Sequence, residues 1–240
     1  QLRAWMALAN ARQIARQPGV LEPARRALGL AEKLYPAKTA EPVLEARQFV
    51  ALGFAAEGRF REALGEYRTL RDARIELLGP RHNSLAALYN SMGNAHLQAG
   101  EPVEALASYQ ALVAVVDAND RGPTLNRAIG RFRVANALAS LRRHAEATEM
   151  QAAALAMSES LSDPRHARNM RWRGGLAAFQ AQSGDLVAAE ATLAGVDPAG
   201  LADGFDRAEA SLRIGTVRSL QGRYDEAAEL HGPKWVKPPS

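Results

Sequence analysis

The sequence predicts an all-α fold, an α-solenoid of about six helical hairpins, and three observations carry that expectation. Good helix formers led by Ala and Leu dominate, Val and Ile are sparse beside them, and only 6% of residues are aromatic. Apolar residues recur at three- and four-residue spacing through most of the chain, the period of an amphipathic helix. Finally, one turn pattern repeats: Gly58 with Ala63, Gly100 with Ala105, Arg142 with Ala147, Gly184 with Ala189 and Gly222 with Ala227, at spacings of 42, 42, 42 and 38. A fixed period of that size means one supersecondary unit per repeat.

The units run in order over residues 1–38, 43–79, 84–118, 124–161, 166–198 and 203–231, followed by a Pro-rich tail, 232–240. The first is the weakest, with Gly19 and Ala24 in QPGVLEPARRAL. The third is the clearest. Leu85, Leu88, Tyr89, Met92, His96 and Leu97 share one helical face, as do Val103, Leu106, Tyr109, Val113 and Val116. Between them Gly100 supplies the positive φ that ends a helix, and Pro102 is tolerated in the first turn of the next. Gly93 and Ala105 are expected to be small because two helix backbones approach closely there. The unit around Arg142 lacks the turn glycine, and the one around Gly184 has Gln180 and Leu193 where aromatics belong. In the tail, Trp235 between lysines either belongs to a disordered terminus, covers the apolar end of the last hairpin, or docks into a neighbouring molecule.

With 47% apolar and 23% charged residues over 240 positions, the chain has ample material for a folded core. No apolar run is long enough to span a membrane, and the arginines in QLRAWMALANARQIAR interrupt what a signal peptide would keep clean. The absence of cysteine excludes disulfides, thiol catalysis and cysteine-ligated zinc. It leaves the compartment open, with the cytoplasm favoured. The start at Gln1, apparently inside a helix, suggests a piece of a longer or processed protein.

Catalysis finds little support, and no enzyme, cofactor or metal is expected. His82, His96, His144, His166 and His231 show no metal-ligand spacing, and no glycine-rich phosphate loop occurs. His96 reads as a packed, satisfied histidine. Glu62, Glu104, Glu146 and Glu226 recur at one position just after each turn, where acids complement the helix macrodipole. The segments LLGPRHNS and LSDPRHAR share Pro-Arg-His two periods apart, which argues for a helix stop and a cap, with Asn83 or Ser84 and Asp163 as the capping residues.

Glycine or alanine, a turn glycine seven residues on, an alanine five later and an aromatic four further is a pattern that Gly93, Gly100, Ala105 and Tyr109 meet in full. Ala51, Gly58, Ala63 and Tyr67 meet it too. This resembles the tetratricopeptide repeat. The period of 42, together with LLGPRHNS, looks like the kinesin-light-chain type found in many bacterial proteins. The resemblance implies a right-handed superhelix whose first helices line a concave groove that clamps extended peptides through Asn and basic side chains. Those positions are Glu45, Gln48, Asn90, Asn94, Arg133, Asn136, Arg171 and Arg213, of which Gln48, Asn90, Asn94, Arg133, Asn136 and Arg171 are the expected peptide-binding residues.

An asparagine amide offers a donor and an acceptor to a peptide unit, and mid-helix Asn has no propensity advantage of its own. Between Arg121 and Arg173 there are ten arginines against four acids, which reads either as a solvated basic face or as a groove that selects an acidic or phosphorylated segment or a terminal carboxylate. Arg47, Arg131 and Arg173 share a frame position that the family fills with large apolar residues, so they are expected to snorkel or pair with acids. The basic stretch lacks interleaved aromatics, which disfavours nucleic acid. The expected function is a non-enzymatic protein-binding module, the scaffold or sensor part of a larger bacterial regulatory protein. A self-assembling structural module, or a small-molecule sensor domain of a kinase or transcription regulator, stands as the alternative.

Overall fold

The computed structural model describes residues 1–15, 17–201 and 203–231, so Trp235 and the Pro-rich tail lie outside the described residues. Among the described residues there are no strands. Twelve α-helices follow one another: α1 (Leu2–Ile14), α2 (Leu21–Leu34), α3 (Glu41–Ala56), α4 (Phe60–Leu78), α5 (Ser84–Gln98), α6 (Pro102–Asn119), α7 (Leu125–Ser140), α8 (His144–Glu159), α9 (Ala167–Gln182), α10 (Leu186–Leu193), α11 (Gly204–Leu220) and α12 (Tyr224–His231). Short connections make sequential helices antiparallel neighbours, so they pack in consecutive pairs in the manner of an α-solenoid. The chain divides into two compact units, Gln1–Asn119 with α1 to α6 and Asp120–Ser240 with α7 to α12.

The same turn closes hairpin after hairpin. The N–H of the residue after the turn donates five residues back, Arg59 to the Phe54 carbonyl, Glu101 to His96, Arg143 to Leu138 and Arg223 to Arg218, each at 2.9 Å. This is the Schellman arrangement, which demands a left-handed residue at the turn. Gly100 supplies it with φ 76°, and in the fourth hairpin Arg142 adopts φ 58° in its place. The geometry is therefore kept where the glycine is missing, at a conformational cost to the arginine.

In the first unit, Leu44, Leu64, Tyr67, Leu70 and Leu85 form one core with Ala51 and Ala63, all buried. Tyr109 is also fully buried. Gly93 is small for a different reason from the one the spacing suggested. A Cβ there would lie 2.3 Å from Cε1 of Tyr109, so the obstacle is the aromatic ring of the following helix and not its backbone. True backbone proximity occurs at Gly53, whose Cβ would meet the Leu21 Cα at 2.7 Å, where α3 crosses the start of α2.

The second unit has a core around Met170, Ala177, Leu193, Ala210 and Val217, and a second cluster around Ala154, Leu155, Trp172 and Leu176. Its shortened period has a local cause. Helix α10 has 8 residues, against 19 in α4, 18 in α6 and 16 in α8. The missing turns are replaced by a loop with a 3-10 turn, Pro198–Gly200, that buries Val196 and Leu201. Arg173 holds this loop by donating to the Gly195 carbonyl at 2.8 Å while pairing with Glu159.

The Pro-Arg-His segments do start helices, but histidine does the capping. At the start of α9 the Nδ1 of His166 accepts the Arg168 N–H at 3.2 Å, and at the start of α5 the Nδ1 of His82 accepts the Ser84 N–H at the same distance. Asn83 makes no side-chain cap, and Asp163 turns the loop earlier by accepting the Arg165 N–H at 2.7 Å. An acceptor two residues before the donor closes an Asx-like turn, a geometry that the unprotonated ring nitrogen of a histidine reproduces. Behind the second segment, buried Asn169 accepts from Ser158 at 2.6 Å and donates to the Asp163 carbonyl at 2.8 Å.

Candidate binding site

The residues expected to bind a peptide fall into three environments. Gln48 and Asn94 are engaged within the first unit: Arg74 donates to the Gln48 Oε1 at 2.7 Å, and the Tyr109 hydroxyl donates to the Asn94 Oδ1 at 2.6 Å. Asn90, one helical turn before Asn94, keeps a buried Oδ1 without a hydrogen-bond partner. Arg133, Asn136 and Arg171 are brought together in the second unit, where they line one cavity of about 260 Å³. Glu45 lies on a separate recess of the first unit with Arg3 and Asn10.

The second-unit cavity opens between α7, α9 and α11, with α8 contributing Gln151. Three arginines line it, Arg133, Arg171 and Arg213, against one carboxylate, Glu209. Arg171 pairs with Asp206 at 3.1 Å, whereas Glu209 stands 4.0 Å from Arg171 and 3.8 Å from Arg213, beyond hydrogen-bond distance of either. The Arg133 guanidinium lies 5.8 Å from the centroid of the Phe132 ring, and that ring stacks on Trp172 at 4.7 Å with 10° between planes. The Nε atoms of Arg133, Arg171 and Arg213 are all buried and unpartnered.

One residue at the wall of this cavity was not singled out by the sequence pattern. Gln151 stands 42 residues after Tyr109 and 84 after Tyr67, at the position those two tyrosines fill. Its side chain is shorter than a phenol ring, and it is 0% exposed. Its Nε2 donates to the Trp172 carbonyl at 2.9 Å, which assigns the amide and leaves Oε1 as a buried acceptor with no partner. Glu209 and the aromatic wall were likewise missed. The signal that finds Gln151 is a polar residue at an aromatic frame position. Glu209 and Phe132 become visible only once α7, α9 and α11 are packed.

Several other charged residues that the pattern singled out are paired within the fold. Arg47 pairs with Glu66 at 2.6 Å and Glu32 at 2.8 Å, and Arg173 pairs with Glu159, as expected for arginines at an apolar frame position. His96 is buried and hydrogen-bonded to Glu101 at 2.7 Å. Glu62, Glu146 and Glu226 each meet an arginine at the helix start, in Arg59–Glu62, Arg143–Glu146 and Arg223–Glu226. The Arg59 hydrogen bond holds the Glu62 carboxyl below its ordinary range, Arg143 does the same to Glu146, and Arg218 does so to Glu190. Burial pushes the Tyr67 hydroxyl up to about 12. Among the described residues no group of three metal-ligating side chains converges, and no helix is long and apolar enough to cross a membrane.

A tetratricopeptide repeat profile matches residues 45–118. No curated protein sequence matches the chain. Among solved structures, the Q17M variant of a putative kinesin light chain from Podosopora anserina with nearly identical TPR-like repeats superposes with a TM-score of 0.70. It is 18% identical, covering 93% of this chain and 96% of that one. BtubC (BKLC) from P. vanneervenii gives a TM-score of 0.65 at 20% identity, over 96% and 88% of the two chains. Pseudomonas aeruginosa pilF gives 0.61 at 16% identity, over 95% and 88%. Residues 45–118 therefore match the tetratricopeptide repeat, and the chain has the all-α fold of the kinesin-light-chain-like tetratricopeptide-repeat proteins.

Proposed function

We propose that the chain binds an acidic segment of a partner protein along the faces of its first helices, as the recognition part of a larger bacterial regulatory protein. Tetratricopeptide repeats generally mediate protein–protein interaction, and their fold is generally non-enzymatic. One observation carries the finer reading. Of the eight buried side-chain atoms without a hydrogen-bond partner among the described residues, six lie on first helices of hairpins: Arg47 on α3, Asn90 on α5, Arg133 on α7, Arg171 and Gln180 on α9, and Arg213 on α11. An unsatisfied buried polar atom costs about 1–3 kcal/mol, and a partner that supplies the missing hydrogen bonds recovers part of that cost. Most of these atoms are guanidinium donors, which match carboxylates.

The clean test uses residues that have no structural bond to lose. Asn90→Ala and Asn136→Ala are each expected to weaken binding of an Asp/Glu-rich peptide, selected from a peptide array, by about tenfold, with helicity unchanged by circular dichroism. Asn94 is a poor probe, because its truncation also strips a buried partner from Tyr109. Equal affinity of both variants and the parent chain for the selected peptide would overturn the reading. So would an array in which neutral segments bind as well as acidic ones.

A further inference from the structure

The second-unit cavity is lined by both donors and acceptors. The donors include the buried, unpartnered Nε atoms of Arg133 and Arg213. The acceptors are the unpartnered Oε1 of fully buried Gln151 and the carboxylate of Glu209, which stands 3.8 Å from Arg213 and 4.0 Å from Arg171 and is partly exposed. An inorganic anion would satisfy the arginines, leave Gln151 unpaired and bring its charge against Glu209. A simple cation would do the reverse. A peptide backbone segment has amide N–H groups but no ammonium for Glu209. The group that meets both kinds of lining at once is a zwitterion with carboxylate and ammonium on one carbon. At about 260 Å³ the cavity lies below the roughly 300–1,000 Å³ of drug-sized pockets, which suits a ligand of amino-acid size. The stacked Phe132–Trp172 pair offers an apolar wall beside these groups.

We propose that this cavity is a binding site for a free α-amino acid with an apolar or aromatic side chain. Its carboxylate meets Arg133 and Arg213, its ammonium meets Glu209 and the Gln151 Oε1, and its side chain lies against Phe132 and Trp172. The proposal goes beyond the protein-binding reading and does not rest on it. It makes the second unit a sensor of a small metabolite, and the glutamine at the aromatic position of the repeat is what opens the site.

The test is calorimetric titration of the whole chain with each proteinogenic amino acid, with the N-acetyl and amide derivatives of any that binds, and with inorganic sulfate. Saturable binding of an apolar or aromatic amino acid is expected, weakened about tenfold or more by either derivatisation, since each removes a charge-assisted contact. Glu209→Gln is expected to weaken it by a similar factor. Gln151→Tyr is expected to abolish it by filling the space as Tyr67 and Tyr109 do in their own hairpins. If Gln151→Tyr fails to fold, Glu209→Gln still decides. The proposal is overturned if no amino acid binds, if sulfate or the N-acetyl form binds as tightly as the free amino acid, or if Glu209→Gln binds with unchanged affinity.

Discussion

Arg142 shows how a single residue can stand against its local preference. It holds φ 58° in a turn where Gly58, Gly100 and Gly222 hold 74°, 76° and 77°. A left-handed non-glycine residue costs about 1–2 kcal/mol, and glycine returns part of that through its larger unfolded-state entropy. Because the Arg142 side chain is exposed, Arg142→Gly is expected to stabilise the protein by about 0.5–1 kcal/mol, measured by urea denaturation. Tyr67 sets a limit at alkaline pH. Its hydroxyl is pushed up to about 12 from an ordinary value of 10.0, so the neutral form is favoured in the folded state. That contribution is complete below pH 10.0 and fades as pH rises through about 12, so Tyr67→Phe is expected to flatten the loss of thermal stability across this window.

At the scale of the helices, packing between partners in a hairpin decides tolerance. Gly93→Ala would drive a Cβ into the ring of Tyr109, which is fully buried and tied to Asn94, so it cannot swing aside. A loss of about 2–3 kcal/mol is expected, readable as a lower urea midpoint with unchanged slope. The starts of α4 and α8 share an arginine–glutamate clasp, Arg59–Glu62 and Arg143–Glu146. Both carboxyls titrate below their ordinary value of 4.5, so their contribution is present above pH 4.5 and lost as pH falls through the lowered value. These groups are exposed to solvent, so the effect is small. The double variant Glu62→Gln/Glu146→Gln is expected to melt with less pH dependence between about pH 5 and 3 than the parent chain.

At the scale of the whole molecule, each unit owns its core. Leu44, Leu64, Tyr67, Leu70 and Leu85 pack with one another inside Gln1–Asn119, and that stretch forms one of the two compact units. Repeat proteins draw stability from each hairpin and its neighbours, so a stretch with a complete internal core can fold alone. The fragment Gln1–Asn119 is therefore expected to give a helical circular dichroism spectrum and a cooperative thermal transition. A featureless spectrum would show that its core depends on residues beyond Asn119.

The sequence by itself determined the class of fold and the rhythm of its turns. Helix propensity and apolar spacing are local, and the left-handed turn is written in Gly58, Gly100, Gly184 and Gly222 at a readable period. Tertiary structure decided which of the expected side chains are free to bind. Asn94 and Gln48 look like groove residues in one dimension, yet Tyr109 and Arg74, 15 and 26 residues further on, take up their carbonyl oxygens. Gln151 reads as decay of the pattern, but between packed helices it becomes a buried acceptor at the wall of a cavity. Hydrogen-bond satisfaction is settled by which atoms lie within about 3 Å once helices distant in sequence have packed, and no period in the chain encodes that distance.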